Sequence, residues 1–330
     1  MMPDRLSRRA LLGAAPLLAV PMGVGTAAAA AADFNGFLAG VRADAVAQGV
    51  RAATVDVAMR YIRFLPKVIE LDQKQPERTR TFSEIVARSV TPQRKEDVRQ
   101  HLAENAQLLQ RVQQRFGVQP AYVVALWGIE SAFGNVMGDY SVPASLATLA
   151  YEGRRGPMFR SELIASFRIL DQGHIRPESM LGSWAGAMGQ CQFMPTTFIS
   201  YAVDFDGDGR RDIWNSRADV LGSIANYLNR LGWRGSEGWG RDVRVGPGFD
   251  ARLAGIEQRR PVSEWSRLGV TSADGAPLSL RGDASLLLPE GAGGPALLVT
   301  DNFRAIMKWN KSASFATIIG YLADSAGRTG

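Results

Sequence analysis

Apolar side chains recur every three to four positions along the stretch that ends near Trp239, the spacing that sets one face of an α-helix against a core. FNGFLAGVRADAVAQGV (34–50), ATVDVAMRYI (53–62) and EDVRQHLAENAQLLQRVQQRFG (96–117) show it, with Gly or Pro as punctuation. From Arg241 to Thr300 the pattern changes. Glycine and proline become frequent, and the apolar residues fall into short alternating or β-branched runs: DVRVG (242–246), PLSLRG (277–282), ASLLLPE (284–290) and PALLVT (295–300). This predicts a small sheet over 241–301. Helical spacing returns in SFATIIGYLADSAG (314–327), with Ser312 or Ser314 placed to cap its start and Gly327 just past its end. The chain reads as mainly α, in the α+β sense, with no internal repeat and no low-complexity linker.

Composition sets limits on this picture. The 330 residues are 46% hydrophobic and 21% charged, which is ordinary for globular chains and long enough for two or three cores. A net charge of +6 suits an anionic partner such as nucleic acid, a membrane surface or a cell wall, and a solvated basic surface explains it equally well. Cys191 is the single cysteine, so no intramolecular disulfide is available and the thiol is read as structural.

Residues 1–32 read as a leader rather than as part of the fold. Arg5, Arg8 and Arg9 precede a mild apolar run at 10–25, and TAAAAAA (26–32) offers small-residue cleavage sites. Ser7-Arg8-Arg9 followed by Ala10-Leu11-Leu12 is similar to a twin-arginine export signal. The expectation is an exported, periplasmic protein. No later run reaches about 18 apolar residues, and no cysteine stands near the cleavage region to carry a lipid, so the mature chain is expected to be soluble.

One acid stands out. ALWGIESAFGNVMG (125–138) places Glu130 in an otherwise apolar helical stretch. Pro120 suits a first turn and Gly134 a terminator, which predicts a helix of about fourteen residues. Leu126, Trp127, Phe133 and Gly134 then share the face of Glu130. A carboxyl pressed against such rings loses hydration, and its pKa rises toward that of a proton donor. From this segment alone, a buried Glu paired with an arginine or one facing solvent is equally open.

The surrounding motifs narrow the choice. SAFGNVMGDYSVPASLATLAYEGRRGPMFRSEL (131–163) continues directly, and GSWAGAMGQCQFMPTTFISYAVDFDGDGRRDIW (182–214) follows. With NFRAIMKWNKSASFA (302–316) and the early IELDQKQPE (69–77), these closely resemble the family-B lytic murein transglycosylases, lysozyme-like enzymes that cleave bacterial peptidoglycan. The resemblance runs in order from about Phe37 to Ala323. It implies a lysozyme-like helical core over 111–240, an N-terminal helical domain over 33–110, and a C-terminal helical segment, 302–330, completing the core.

The resemblance also implies roles. Glu130 matches the catalytic acid. Arg154 and Arg155 match substrate-groove arginines, Ser183 and Gln192 match residues that touch the sugars, and Tyr227 matches an aromatic wall. Asn310 matches a polar residue near the scissile bond. Trp309 and Phe315 stand where tyrosines are common, which keeps a ring but removes a hydroxyl. Each has a plainer reading: a solvated arginine pair, a turn cap at Ser183, a core ring at Tyr227, a left-handed Asn310. Chemistry favours the groove, because lactyl and peptide carboxylates suit two-pronged arginines.

A second site is readable from spacing. DFDGDGRRD (204–212) puts Asp204, Asp206 and Asp208 at positions 1, 3 and 5 of an EF-hand-like calcium loop, Gly209 at 6, the Arg210 carbonyl at 7 and Asp212 at 9. Position 12 is Asn215 rather than Glu. The similar family closes a slightly longer loop with an Asp, which implies Asp219 and a loop of 204–219. Three acids in five residues repel one another without a cation, so a structural calcium ion is expected; an acidic Asx-turn is the alternative. His101 and His174, the only histidines, read as surface residues, and no zinc-type cluster is present.

Together these predict cleavage of the MurNAc–GlcNAc bond by one acid, with 1,6-anhydro-MurNAc ends as product. A lysozyme-type hydrolase is a rival, as is a non-catalytic wall-binding protein. The only other acids near Glu130 in sequence are Asp139 and Glu152, and neither falls on the resembling family's catalytic positions. Peptidoglycan strands are the expected partner, other cell-wall enzymes are further candidates, and the chain is expected to act as a monomer. Export and the lack of a recognisable motif argue against nucleic acid.

Overall fold

A computed structural model describes residues 27–74 and 80–327, with fourteen α-helices and seven strands among them. The predicted leader, with its twin-arginine-like stretch and apolar run, lies outside the described residues up to residue 26. Among the described residues no helix is long and apolar enough to cross a membrane. The chain divides into two compact units, 1–76 with 129–224, and 77–128 with 225–330.

Helices α1 (Ala27–Ala47), α2 (Ala52–Met59) and α3 (Pro66–Gln73) open the first unit. The second begins with α4 (Phe82–Ser89), α5 (Pro92–Glu104) and α6 (Ala106–Phe116). Local chemistry sets their ends. Thr81 and Glu84 form a reciprocal capping box on α4, Thr91 caps α5 ahead of Pro92, and α6 stops at Gly117, whose φ of +67° is open to glycine at little cost. Helix α7 (Pro120–Ser131) follows, and every residue from Ala121 to Trp127 is buried.

The first unit is completed by α8 (Val142–Glu152), α9 (Gly156–Asp171), α10 (Pro195–Tyr201) and the start of α11 (Arg217–Arg230). Helix α8 packs along α9 and is buried from Val142 through Ala150, so it is apolar all round instead of amphipathic. A two-stranded antiparallel ribbon, β1 (Tyr140–Ser141) with β2 (Leu181–Gly182), ties the entry of α8 to the loop before α10.

In the second unit five antiparallel strands form one sheet: β3 (Gly240–Val245), β4 (Arg259–Pro261), β5 (Val270–Ser272), β6 (Asp283–Leu287) and β7 (Ala296–Val299). Their order is β4-β6-β7-β3-β5, with Leu286 opposite Leu298 and Val243 opposite Ala296. Helix α12 (Val262–Arg267) turns Trp265 into the sheet's core among Val243, Val262, Val270, Leu286 and Leu298, where its indole donates to the Ala284 carbonyl at 2.9 Å. Three of the four expected strands are present. The fourth, 277–282, joins no strand ladder: Pro277 has no N–H for one, although the Gly282 carbonyl accepts the Val262 N–H at 2.9 Å and Leu278 and Leu280 still pack on the core. Strands β4 and β5, three residues each, are too short to leave a period-two signal.

Helices α13 (Asp301–Trp309) and α14 (Ala313–Asp324) close the chain, and of the two possible caps Ser312 is the one used, accepting the Phe315 N–H at 3.2 Å. A Cβ added at Gly320 in α14 would stand 2.4 Å from the Trp239 ring. Gly→Ala in a helix normally gains up to about 1 kcal/mol, whereas overpacking a buried ring costs about 1–3 kcal/mol. Gly320→Ala is therefore expected to lower the denaturant midpoint; a raised midpoint would show that the ring moves aside freely.

Candidate functional site

Glu130 is the penultimate residue of α7 and is 3% exposed. The helix stops at Ser131, three residues before the expected Gly134, because Ala132, Phe133 and Gly134 take left-handed φ values of +49°, +58° and +88° in succession. Phe133 consequently leaves the helical face it was expected to share with Glu130. The turn is closed by the Val136 N–H donating to the Ser131 carbonyl at 2.8 Å and by the Gly134 N–H donating to Ser131 Oγ at 3.1 Å. Left-handed backbone costs a non-glycine residue about 1–2 kcal/mol and persists only where the surroundings enforce it.

The enforcing surroundings are the loop 182–193. A Cβ on Gly138 would stand 2.2 Å from the Gly182 carbonyl oxygen, so these two backbones meet face to face. Ser183 is fully buried, and its Oγ accepts the N–H groups of Ala185 (3.3 Å) and Ala187 (2.9 Å), holding the loop's first turn. Gln192, 2% exposed and itself at φ +50°, donates Nε2 to the carbonyls of Met137 and Gly189, both at 2.9 Å. Cys191 is buried beside them. Burial pushes its thiol well above the usual range, and the charges of Glu130 and Asp219 push it further, so it stays protonated.

Arg154 and Arg155 do not stand free in solvent. Both guanidiniums donate to Asp72 of α3, the Arg155 contact being 2.5 Å, and that carboxylate is 3% exposed. Arg155 also lies over the Phe159 ring at 4.9 Å, with its Nε buried and without a hydrogen-bond partner. Glu152 accepts the Arg154 N–H at 3.1 Å, and Asp139 is exposed.

Buried carboxylates are costly and call for partners. In this unit Asp72, Glu130, Glu162 and Asp219 are buried. Asp72 anchors the arginine pair; Glu162 of α9 accepts the N–H (2.9 Å) and hydroxyl (2.7 Å) of Thr196 and so caps α10; Asp219 organises the acidic loop. Glu130 is carried by the strained helix end. Asp72 and Glu162 were missed from the sequence, though Glu162 carries the same signal as Glu130, an acid with apolar Phe159 and Leu163 on its own helix.

The acidic loop is built around two carboxylates. Asp204 accepts the N–H groups of Gly207 (2.7 Å), Asp208 (3.1 Å) and Gly209 (2.8 Å), while Asp219 accepts those of Phe205 and Asp212, both at 2.7 Å. Burial raises the Asp219 carboxyl above the usual range against the pull of these donors. Asp204, Asp206 and Asp219 bring one oxygen each within 4.8 Å of one another. An all-oxygen set of three acids at this spacing fits a hard cation such as calcium. Asp208 turns elsewhere, to the Arg210 guanidinium at 3.0 Å, which holds its carboxyl below the usual range. His174 is half-buried against Arg211, and burial followed by that positive charge lowers its pKa; it is not the plain surface residue expected.

The remaining candidates lie in the second unit. Tyr227 and Trp309 pack edge to face with ring centres 4.6 Å apart, and the Tyr227 hydroxyl donates to the Lys308 carbonyl at 2.9 Å. Tyr227, Trp309 and Phe315 are 5%, 3% and 2% exposed, so most of each ring is core. Asn310 joins α13 to α14 in an extended conformation (φ −143°), not a left-handed one, and its Oδ1 accepts the Ser312 N–H at 3.2 Å. Its Nδ2 is buried with no hydrogen-bond partner.

Comparison with known proteins places this geometry. The transglycosylase SLT domain matches residues 33–324. Membrane-bound lytic murein transglycosylase B of Escherichia coli K12 is 34% identical over 220 residues, 66% of this chain and 59% of that protein, so the chain spans less than two thirds of that relative. Pseudomonas aeruginosa SltB3, solved in complex with NAG-anhNAM-pentapeptide, is 46% identical with a TM-score of 0.86, covering 89% of this chain and 79% of that one. Escherichia coli Slt35, solved in complex with calcium, is 27% identical with a TM-score of 0.75, covering 92% and 95%. With that domain matched over residues 33–324, the chain belongs to the transglycosylase SLT domain family.

Proposed function

We propose that this chain is an exported lytic transglycosylase that cleaves the β-1,4 MurNAc–GlcNAc linkage of peptidoglycan and leaves 1,6-anhydro-MurNAc ends. The observation that carries the reading is the buried acid Glu130 at the strained end of α7, in a chain similar to SltB3, which was solved in complex with NAG-anhNAM-pentapeptide. A two-carboxylate glycosidase needs a second acid about 5–9.5 Å from the first. The buried acids of the same unit are committed to Arg154 and Arg155, to Thr196 and to the acidic loop, and Glu152 caps a backbone N–H.

With one acid, Glu130 protonates the leaving oxygen, and the N-acetyl oxygen of the substrate meets the positive charge at the anomeric carbon. The resulting carboxylate takes the proton of the C6 hydroxyl, which attacks that carbon and closes the ring. An intramolecular nucleophile has a proximity advantage that water lacks. Arg154 and Arg155, oriented by Asp72, bind the lactyl and peptide carboxylates. Ser183 and Gln192 shape the loop beside the acid; within the second unit, Asn310 with its buried Nδ2 is the polar sugar contact that the resemblance implies. Tyr227, Trp309 and Phe315 supply ring edges. Asp204, Asp206 and Asp219 would hold calcium, with Asp208 and the Arg210 carbonyl completing the loop; the ion would neutralise clustered charge.

Mass spectrometry of digested cell walls tests the reading. The expected products carry non-reducing anhydro ends, lighter by one water than lysozyme products. Reducing MurNAc ends alone would make the enzyme a hydrolase and send attention back to Asp139 and Glu152.

A further inference from the structure

Gln190 touches two segments of the first unit at once. Its backbone N–H donates to the Ile213 carbonyl and its side-chain Nε2 to the Trp214 carbonyl, each at 2.8 Å. Those residues directly follow Asp212, whose Oδ1 accepts the Trp214 N–H at 3.0 Å, and the Trp214 indole reaches back to the Leu181 carbonyl at 3.0 Å. On its other side the Gln190 amide lies flat against Gly134: a methyl group there would stand 2.6 Å from Oε1 and 2.8 Å from Cδ. Gly134 is the third of the left-handed residues that end the helix carrying Glu130.

We propose that Gln190 is a positioning residue for Glu130, a wall held by the Trp214 carbonyl that keeps the 132–134 turn left-handed and so fixes where α7 ends. The assignment rests on Glu130 being the catalytic acid. Without the wall, Ala132 and Phe133 are free to relax toward right-handed values, and the acid moves with the helix end. A displacement of about 1 Å in a reacting group is enough for a 10²-fold loss of rate. The turn also joins the acid to the exit of the acidic loop through one side chain, because the carbonyl that orients Gln190 belongs to a residue whose N–H is held by Asp212.

The test is a double-mutant cycle on the mature chain with a soluble glycan substrate, each variant assayed well below its melting temperature. Gln190→Ala is expected to lower kcat about tenfold with KM unchanged within about twofold, the signature of a misplaced acid rather than lost binding. Gly134→Ala, which drives a methyl into the Gln190 amide at a left-handed φ of +88° that itself strains alanine, is expected to cost about 10²-fold. Adding Gln190→Ala removes that clash and should restore turnover above the Gly134→Ala level. Wild-type kcat in Gln190→Ala, or losses that simply multiply, would overturn the proposal. If Gln190→Ala does not fold, Gln190→Asn decides: it keeps an amide but draws it back from Gly134 by one methylene, so kcat should fall about tenfold with KM unchanged, and a folded Asn variant with wild-type kcat overturns the proposal. Product analysis of the wild-type chain separates the readings, since reducing ends alone would unseat the transglycosylase mechanism and leave the coupling between 134 and 190 measurable.

Discussion

Glu130→Gln is expected to stop turnover while the protein still folds and binds muropeptide. The amide keeps the volume of a side chain that is only 3% exposed, so packing at the end of α7 is preserved. It has no transferable proton. General acid catalysis contributes about 10²- to 10⁴-fold, and here one group would supply both the proton for the leaving oxygen and the base for the C6 hydroxyl, so the loss should reach at least that range. Cys191 cannot stand in, being buried with its thiol held protonated far above neutrality. The measurement is release of soluble glycan from purified cell walls, beside a thermal melt and a binding isotherm for each protein. Near-normal turnover by the Gln variant would remove Glu130 from the mechanism.

Calcium is expected to raise the melting temperature. A ligand bound only by the native state stabilises it by RT ln(1 + [L]/Kd), about 2.7 kcal/mol at a hundredfold excess over Kd. For 330 residues that corresponds to about 4 °C. The geometry ranks the acids. Asp206 belongs to the cluster with Asp204 and Asp219, whereas Asp208 is paired with Arg210. Asp206→Ala should therefore abolish most of the increment and Asp208→Ala less of it, with the double substitution removing it altogether. Identical melts in chelator and in excess calcium would exclude the cation. Larger loss with Asp208→Ala than with Asp206→Ala would mean that Asp208 leaves Arg210 when the ion binds.

Some of this was legible residue by residue. The helices of 34–62 and 96–117 follow from spacing, because burying one face of a helix leaves a 3.6-residue trace in any sequence. Glu130 stood out because an acid in an apolar helix is rare, and the acidic loop because its ligands lie within sixteen consecutive residues, 204–219. The expected strand at 277–282 failed for a local reason as well: alternation reports which side chains face a core, not whether the backbone joins a ladder, and Leu278 and Leu280 are half-buried outside any ladder.

By itself, then, the sequence determined the helical periodicity, the isolated acid and the acidic loop, since each depends on residues within a few turns of one another. Only the tertiary structure decided that Asp72, more than eighty positions from Arg154 and Arg155, anchors both, and that Gln190 reaches Gly134 on one side and Trp214 on the other. It also decided that Tyr227, Trp309 and Phe315 are mostly core. The physical reason is the same in each case. A charge, a ring or an amide has no preferred partner along the chain; the partner is whatever packing brings within hydrogen-bond or van der Waals reach, and a left-handed turn at Ala132 and Phe133 has no propensity signal because it is imposed from outside.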